Sequence, residues 1–195
     1  MGNLSRMQRS DTHLALTALA LVVVIAAASG CGAKDKSYNG HGVSFHYPRS
    51  WEKAQFTGQS AKNASGLWTE AFKPHSSSSA ADMIFITEFR TPVSITRQNR
   101  EIYTEEVSSS VSIVAKRAGG ALLAGPAMVS MGGLPGYGFR ISAKTRDALS
   151  SRSRILLVWH GRTEYYLNCQ HDTAGGYAVE IEHACAEIVG SFKLN

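Results

Sequence analysis

Cysteine is scarce in this chain, charge is sparse, and no apolar run is long enough to cross a bilayer. Three cysteines in 195 residues are too few for a disulfide-dense miniature scaffold. Charged residues make up only 18% of the chain, and although the formal net charge is +5, Lys and Arg never form the dense run that marks a nucleic-acid footprint. HExxH and CxxC are absent, which removes the familiar metal-ligand spacings. A GxSxG elbow and a GxGxxG loop are absent too, so neither an α/β-hydrolase nucleophile nor a dinucleotide cradle is signalled. The longest apolar stretch, Leu14 to Ala28 with only Thr17 interrupting it, is 15 residues long. At a helical rise of about 1.5 Å per residue that falls short of the roughly 20 residues a transmembrane helix needs.

What is present at the N-terminus has an order of its own. Arg6 and Arg9 precede the apolar run, as in the charged and hydrophobic regions of a signal peptide. Ala28, Ser29, Gly30 and Cys31 follow, and this small-residue approach to a cysteine resembles the lipobox of bacterial lipoproteins, although Ala28 stands where Leu is commonest. The resemblance implies that residues 1–30 are removed and that Cys31 carries the lipid. Two acyl chains hold a protein on a membrane where one gives only marginal binding. The expected organisation is a signal peptide over 1–30, a lipidated cysteine and short tether over 31–40, and one domain over 41–195. The competing reading is an ordinary signal peptide in which Cys31 is a bystander thiol.

Without the leader 165 residues remain, enough for one domain with a real core, and the charge falls to +4 because Arg6, Arg9 and Asp11 leave with it. Nucleic acid is not an expected partner of a mildly basic domain outside the cytoplasm. Cys169 and Cys185 are an even pair in a compartment where disulfides persist, and they read as a bridge; two buried free thiols are the alternative.

Hydrophobic periodicity divides the domain into elements. Val43, Phe45 and Tyr47 alternate as a half-buried strand that Pro48 ends, and further strands are expected at 66–72 and 82–90. The second of these is apolar on both faces and belongs inside a sheet covered on both sides. Pro74 and Ser76 to Ser79 should form an exposed loop between them. From Ser94 to Ala118 the spacing of Ile95, Ile102, Tyr103, Val107, Val111, Val114 and Ala118 predicts an amphipathic helix stopped by Gly119 and Gly120. Strands return at 127–131, 137–144, 154–160 and 163–170, with Gly132 to Gly138 read as a turn region. A last helix over 175–192 places Tyr177, Ile181, Cys185, Ile188 and Phe192 on one face. Cys169 faces the layer on which that helix packs.

Candidate chemistry is thin. His41, His46, His75, His160, His171 and His183 show no ligand spacing, and only His160 with His171 is expected at strand ends whose convergence would make a weak metal site. Arg140, Lys144, Arg146, Arg152 and Arg154 gather around one strand connection, with Asp147 the only acid among them. Such a basic hairpin suits anionic lipid headgroups or an acidic partner. As plain structure, the same charges would protect a solvated strand edge from pairing.

Val43-x-Phe-x-Tyr-Pro-x-x-Trp51, the long central helix, Gly133-Leu-Pro-Gly-Tyr137, Tyr-Tyr-Leu-Asn-Cys169 and the closing His-Ala-Cys-Ala-Glu-Ile-Val-Gly-Ser-Phe192 together resemble the PsbP-like superfamily, which includes PsbP itself, a Ran-binding nuclear import factor and LpqN-type lipoproteins. The resemblance implies an α+β fold with an antiparallel β-sheet sandwiched between helical layers. It also implies use in binding or complex assembly, without catalysis and without a cofactor, and it carries over Cys31 together with the Cys169–Cys185 pair of the lipoprotein branch. The expectation is a membrane-anchored module on the extracytoplasmic face of the cell membrane, held by lipid at Cys31 and meeting an envelope protein or an anionic membrane surface. An envelope hydrolase with a concealed site, or a carrier of a small ligand or metal, are the alternatives; the first needs a nucleophile bonded to a base, the second a pocket or three converging ligands.

Overall fold

The computed structural model describes residues 35–54, 66–144 and 150–195, so Cys31, Arg146 and the leader lie outside the described residues. Among the described residues, nine strands and two helices follow in the order β1 (Lys36–Gly40), β2 (Val43–Tyr47), β3 (Trp51–Ala54), β4 (Gly66–Pro74), β5 (Met83–Ile95), α1 (Arg100–Arg117), β6 (Ala121–Met131), β7 (Leu134–Lys144), β8 (Ser150–Asp172), α2 (Ala178–Ser191) and β9 (Lys193–Leu194). The larger sheet is antiparallel throughout, in the order β3-β4-β5-β8-β7-β6. A smaller sheet, β1-β2-β9, joins the first strands to the last.

β8 fills two adjacent places in the larger sheet. Its N-terminal arm pairs with β7 from Ser150 to Val158, while its C-terminal arm pairs with β5 from Gly161 to Gln170. The chain turns back at Gly161, whose positive φ of 62° suits the first central position of a two-residue hairpin turn. At the open end the Thr173 amide donates to the Ser150 carbonyl at 2.9 Å, and near the tip the Trp159 indole donates to Glu164 at 2.8 Å. The two expected strands at 154–160 and 163–170 are these two arms. Gly132 and Gly133, with φ of 58° and 78°, make a second two-residue turn, between β6 and β7.

Each face of the larger sheet buries its own core. On one face Ile155, Leu157, Trp159, Phe139 and Ile141 pack beneath Val111 and Ala115 of α1. On the other, Phe72, Ile84, Ile86, Leu156, Val158 and Leu167 meet Ile181, Ala184, Cys185 and Ile188 of α2, with Val43 and Phe45 of the small sheet completing the layer. The α+β class and the antiparallel sheet are as expected. The layer beside α2 differs from a purely helical one, because β1, β2 and β9 share it.

Several boundaries move. Residues 36–40, expected as tether, pair with β2 along Lys36↔Tyr47 to Gly40↔Val43 and belong to the domain. α1 begins six residues later than the periodicity suggested. β5 instead continues to Ile95, which pairs with Gly161, and the Asn99 side chain then closes a turn by accepting from the Thr96 amide at 2.7 Å and donating to the Ser94 carbonyl at 2.9 Å. Within α1, Ile102 and Val114 are 74% and 58% exposed, so the buried stripe is narrower than the spacing implied. The helix does end at the two glycines. Gly119 takes φ 67°, its amide bonds to Lys116 and that of Gly120 to Ala115, which is the Schellman arrangement. The serine loop is only partly exposed, since Ser77 is buried with its hydroxyl on Asp82 at 2.7 Å.

Candidate functional site

The basic hairpin resolves into a cleft. β7 and the N-terminal arm of β8 pair with Arg140 directly opposite Arg154 and Ser142 opposite Arg152. Because side chains alternate, Phe139, Ile141 and Ile155 bury beneath α1, which places Arg140, Arg152 and Arg154 on the face shared with α2. Arg140, Arg152, Arg154, His171 and Glu182 line a depression of about 290 Å³ beside Ala124. Glu182, on α2, pairs with Arg154 at 3.6 Å. Among the described residues neither Arg140 nor Arg152 makes a salt bridge.

His171 reaches this cleft because the fold-back of β8 carries it to the open end of the hairpin, beside the arm that bears Arg152. Its Nδ1 lies 3.1 Å from the Asp172 carbonyl and donates to it. His160 stands at the other end, next to the turn, so the two histidines do not converge. The sequence held a signal for His171 in the two-residue gap between the arms, which fixes a hairpin register. Lys144 pairs with Ser150 at the end of the ladder and does not line the cleft. Of the five basic residues three therefore meet, one lies apart, and Arg146 is outside the described residues.

A second depression of about 290 Å³, over Gly125, Ala127, Val129 and Gly138, shares Ala124, Arg140 and Arg154 with the first. Sharing those three residues, the two form one trough. Ala124, Gly125 and Ala127 keep part of its lining small, while Val129 Cγ1 covers Gly138, where an added Cβ would lie 2.9 Å from it.

Cys169 and Cys185 are bonded, with Cα atoms 5.9 Å apart, and tie β8 to α2 one turn from Glu182. Elsewhere carboxylates serve as joints. Trp51 and Trp68 donate indole hydrogens to Glu180 and Glu88 at 2.6 and 2.7 Å. Ser77 and the Asp172 amide satisfy buried Asp82, while Ser79 and the Ala174 amide satisfy Asp172. Glu70 accepts from Tyr38 at 3.2 Å and pairs with Lys53 at 2.6 Å, with His41 at 3.6 Å. Burial raises the Glu164 carboxyl above its ordinary value, and the Trp159 indole partly opposes the shift. Among the described residues no three His, Cys, Asp or Glu side chains are grouped to hold a metal ion.

No protein-family profile and no curated protein sequence matches the chain. Solved structures do. The solution structure of the cyanobacterial PsbP of Synechocystis superposes with a TM-score of 0.56 at 13% identity, covering 88% of this chain and 99% of that one. A Bacteroides thetaiotaomicron protein superposes with a TM-score of 0.54 at 12% identity over 84% of this chain, which spans only 49% of its length. LpqN of Mycobacterium tuberculosis, described as involved in cell envelope biogenesis, gives 0.47 at 8% identity over 85% of this chain and 87% of that one. The fold is PsbP-like.

Proposed function

We propose that this chain is a lipid-anchored binding module of the cell envelope, displayed on the extracytoplasmic face and without catalytic activity. The anchor is Cys31, supported by the leader and the lipobox-like residues before it. The recognition surface is the β7–β8 hairpin with the cleft behind it. One observation carries the reading: three arginines share one open sheet face, and two of them stand directly opposite each other. Like charges in that register destabilise a sheet. Retaining them makes sense where an anionic partner offsets the repulsion.

Charge reversal at Arg140, Lys144, Arg152 and Arg154 together tests this. Association of the protein with phosphatidylglycerol vesicles or with envelope partners should fall steeply, and the wild-type interaction should weaken with salt because exposed charges are screened over about 8 to 10 Å. Undiminished association would remove the hairpin as the contact surface. Turnover of a peptidoglycan, ester or peptide substrate, lost on mutating a single cleft Ser or His, would replace the module with a hydrolase.

A further inference from the structure

We propose that Arg140, Arg152 and Arg154 form a binding site for a phosphate-ester head group. This rests on the recognition reading above and narrows it to one ligand chemistry. The three guanidiniums converge from two strands on a depression of about 290 Å³, whose lining carries a net charge of +2 with His171 neutral and Glu182 ionised. That volume lies at the lower edge of small-ligand sites and suits a head group.

The arrangement is asymmetric in a useful way. Glu182 holds Arg154 from the α2 side at 3.6 Å, while Arg140 opposite it and Arg152 beside it have no salt bridge among the described residues. The planar fork of a guanidinium matches phosphate oxygens two at a time, so one phosphate between Arg140 and Arg154 would turn a repulsive cross-strand pair into a bridged one. Lysines in these places could supply charge but not that geometry.

An ester fits better than free phosphate because the trough continues. Beyond Arg140 and Arg154 it runs over Gly125, Ala127, Val129 and Gly138, a shallow floor with no charged residue, where an organic substituent can lie. Ala124 at the junction and Ala127 beyond it are small, so the lining offers such a group no bulky obstacle.

The experiment is a thermal-shift titration of the full-length protein in neutral detergent, with glycerol 3-phosphate, inorganic phosphate and sodium chloride at matched ionic strength. A ligand that binds only the folded state raises the melting temperature. Glycerol 3-phosphate should raise it more than phosphate, and phosphate more than chloride. The excess should vanish in Arg140→Ser and Arg154→Ser, shrink several-fold in Arg154→Lys, which keeps the charge, and persist in Lys144→Ser. Equal shifts from all three salts, or an excess that survives in both serine variants, would overturn the site.

The ligand's source is read from competition. If glycerol 3-phosphate displaces the protein from vesicles of phosphatidylglycerol in phosphatidylcholine, the head group belongs to a lipid; specific binding without displacement assigns a soluble phosphate ester. Vesicle or partner association that the fourfold reversal abolishes, with no response to glycerol 3-phosphate, overturns the cleft site and leaves the broader module standing. Loss of neither overturns both.

Discussion

Glu187 sits on α2 with its Oε1 buried and without a hydrogen-bond partner, while its carboxyl meets that of Asp35 at the entrance to β1. Burial is the larger cause and the shared carboxyl hydrogen bond the next, and together they push Glu187 up to about 7, opposed weakly by His183. Between its ordinary value of 4.5 and about 7 the folded chain therefore holds a proton that the unfolded chain has released. Stability from this group is full below that window and is lost as pH rises through it. Glu187→Gln, which stays neutral, should melt higher than wild type at pH 8 and together with it near pH 4. Parallel melting curves across that range would show that the pair does not titrate on unfolding. A second single-residue test concerns space rather than charge. A Cβ on Gly136 would lie 1.9 Å from the Leu157 carbonyl oxygen, a backbone atom of the paired strand that has nowhere to go. Gly136→Ala should cost at least the roughly 1 to 3 kcal/mol typical of overpacking, read by urea denaturation, whereas Gly176→Ala, with nothing within 4 Å, should cost little.

At the scale of elements, α1 separates what periodicity can and cannot show. Its spacing admits one broad apolar stripe, yet the helix crosses from β5 to the far edge strand β6 and buries only Val111 and Ala115 fully. Val111→Ala should then cost about 1 to 2 kcal/mol, while Ile102→Ala should stay within about 0.5 kcal/mol. Equal losses in denaturant would mean that the helix face is assigned wrongly. α2, by contrast, was legible almost residue by residue, because Ile181, Cys185 and Ile188 fall on the buried stripe that spacing alone marks out. Its bridge to β8 closes a loop of sequence separation 16, worth about 3 kcal/mol in the chain-entropy account. Reduction should lower the melting temperature without unfolding the domain at room temperature, since both cores persist without the bond. The N-terminal boundary was not legible. Residues 36–40 are polar, and only pairing with β2, a contact between segments, makes them a strand. The cleft was half legible for the same reason: five basic residues are visible in the sequence, but which of them share a face depends on register, and His171 joins them only through the fold-back of β8.

For the whole molecule, the early start of β1 changes the geometry of the proposed anchor. With Lys36 already in a sheet, the segment from Cys31 spans at most about 18 Å, where a tether running to Gly40 would have reached about 35 Å. Under the proposed anchor, a domain held that near the bilayer would experience membrane charge directly, since the surface potential decays within about a Debye length. Two contributions to retention should then be separable by their response to salt. Acyl chains bind through hydrocarbon and are indifferent to ionic strength, whereas the proposed arginine contact would contribute on the order of 1 kcal/mol per residue at low salt and little at high salt. Wild-type protein should stay with the membrane fraction in high salt. Cys31→Ala should abolish fatty-acid labelling and give a protein that is released by salt, or strand the uncleaved precursor in the membrane. The double change, Cys31→Ala with charge reversal at Arg140, Lys144, Arg152 and Arg154, should leave any processed protein soluble at every salt concentration. Fractionation with radiolabelled palmitate reads all three. Persistent labelling of the Cys31→Ala protein would refute the anchor, and salt-resistant retention of processed double variant would show that a surface other than the arginine face holds the domain to the membrane.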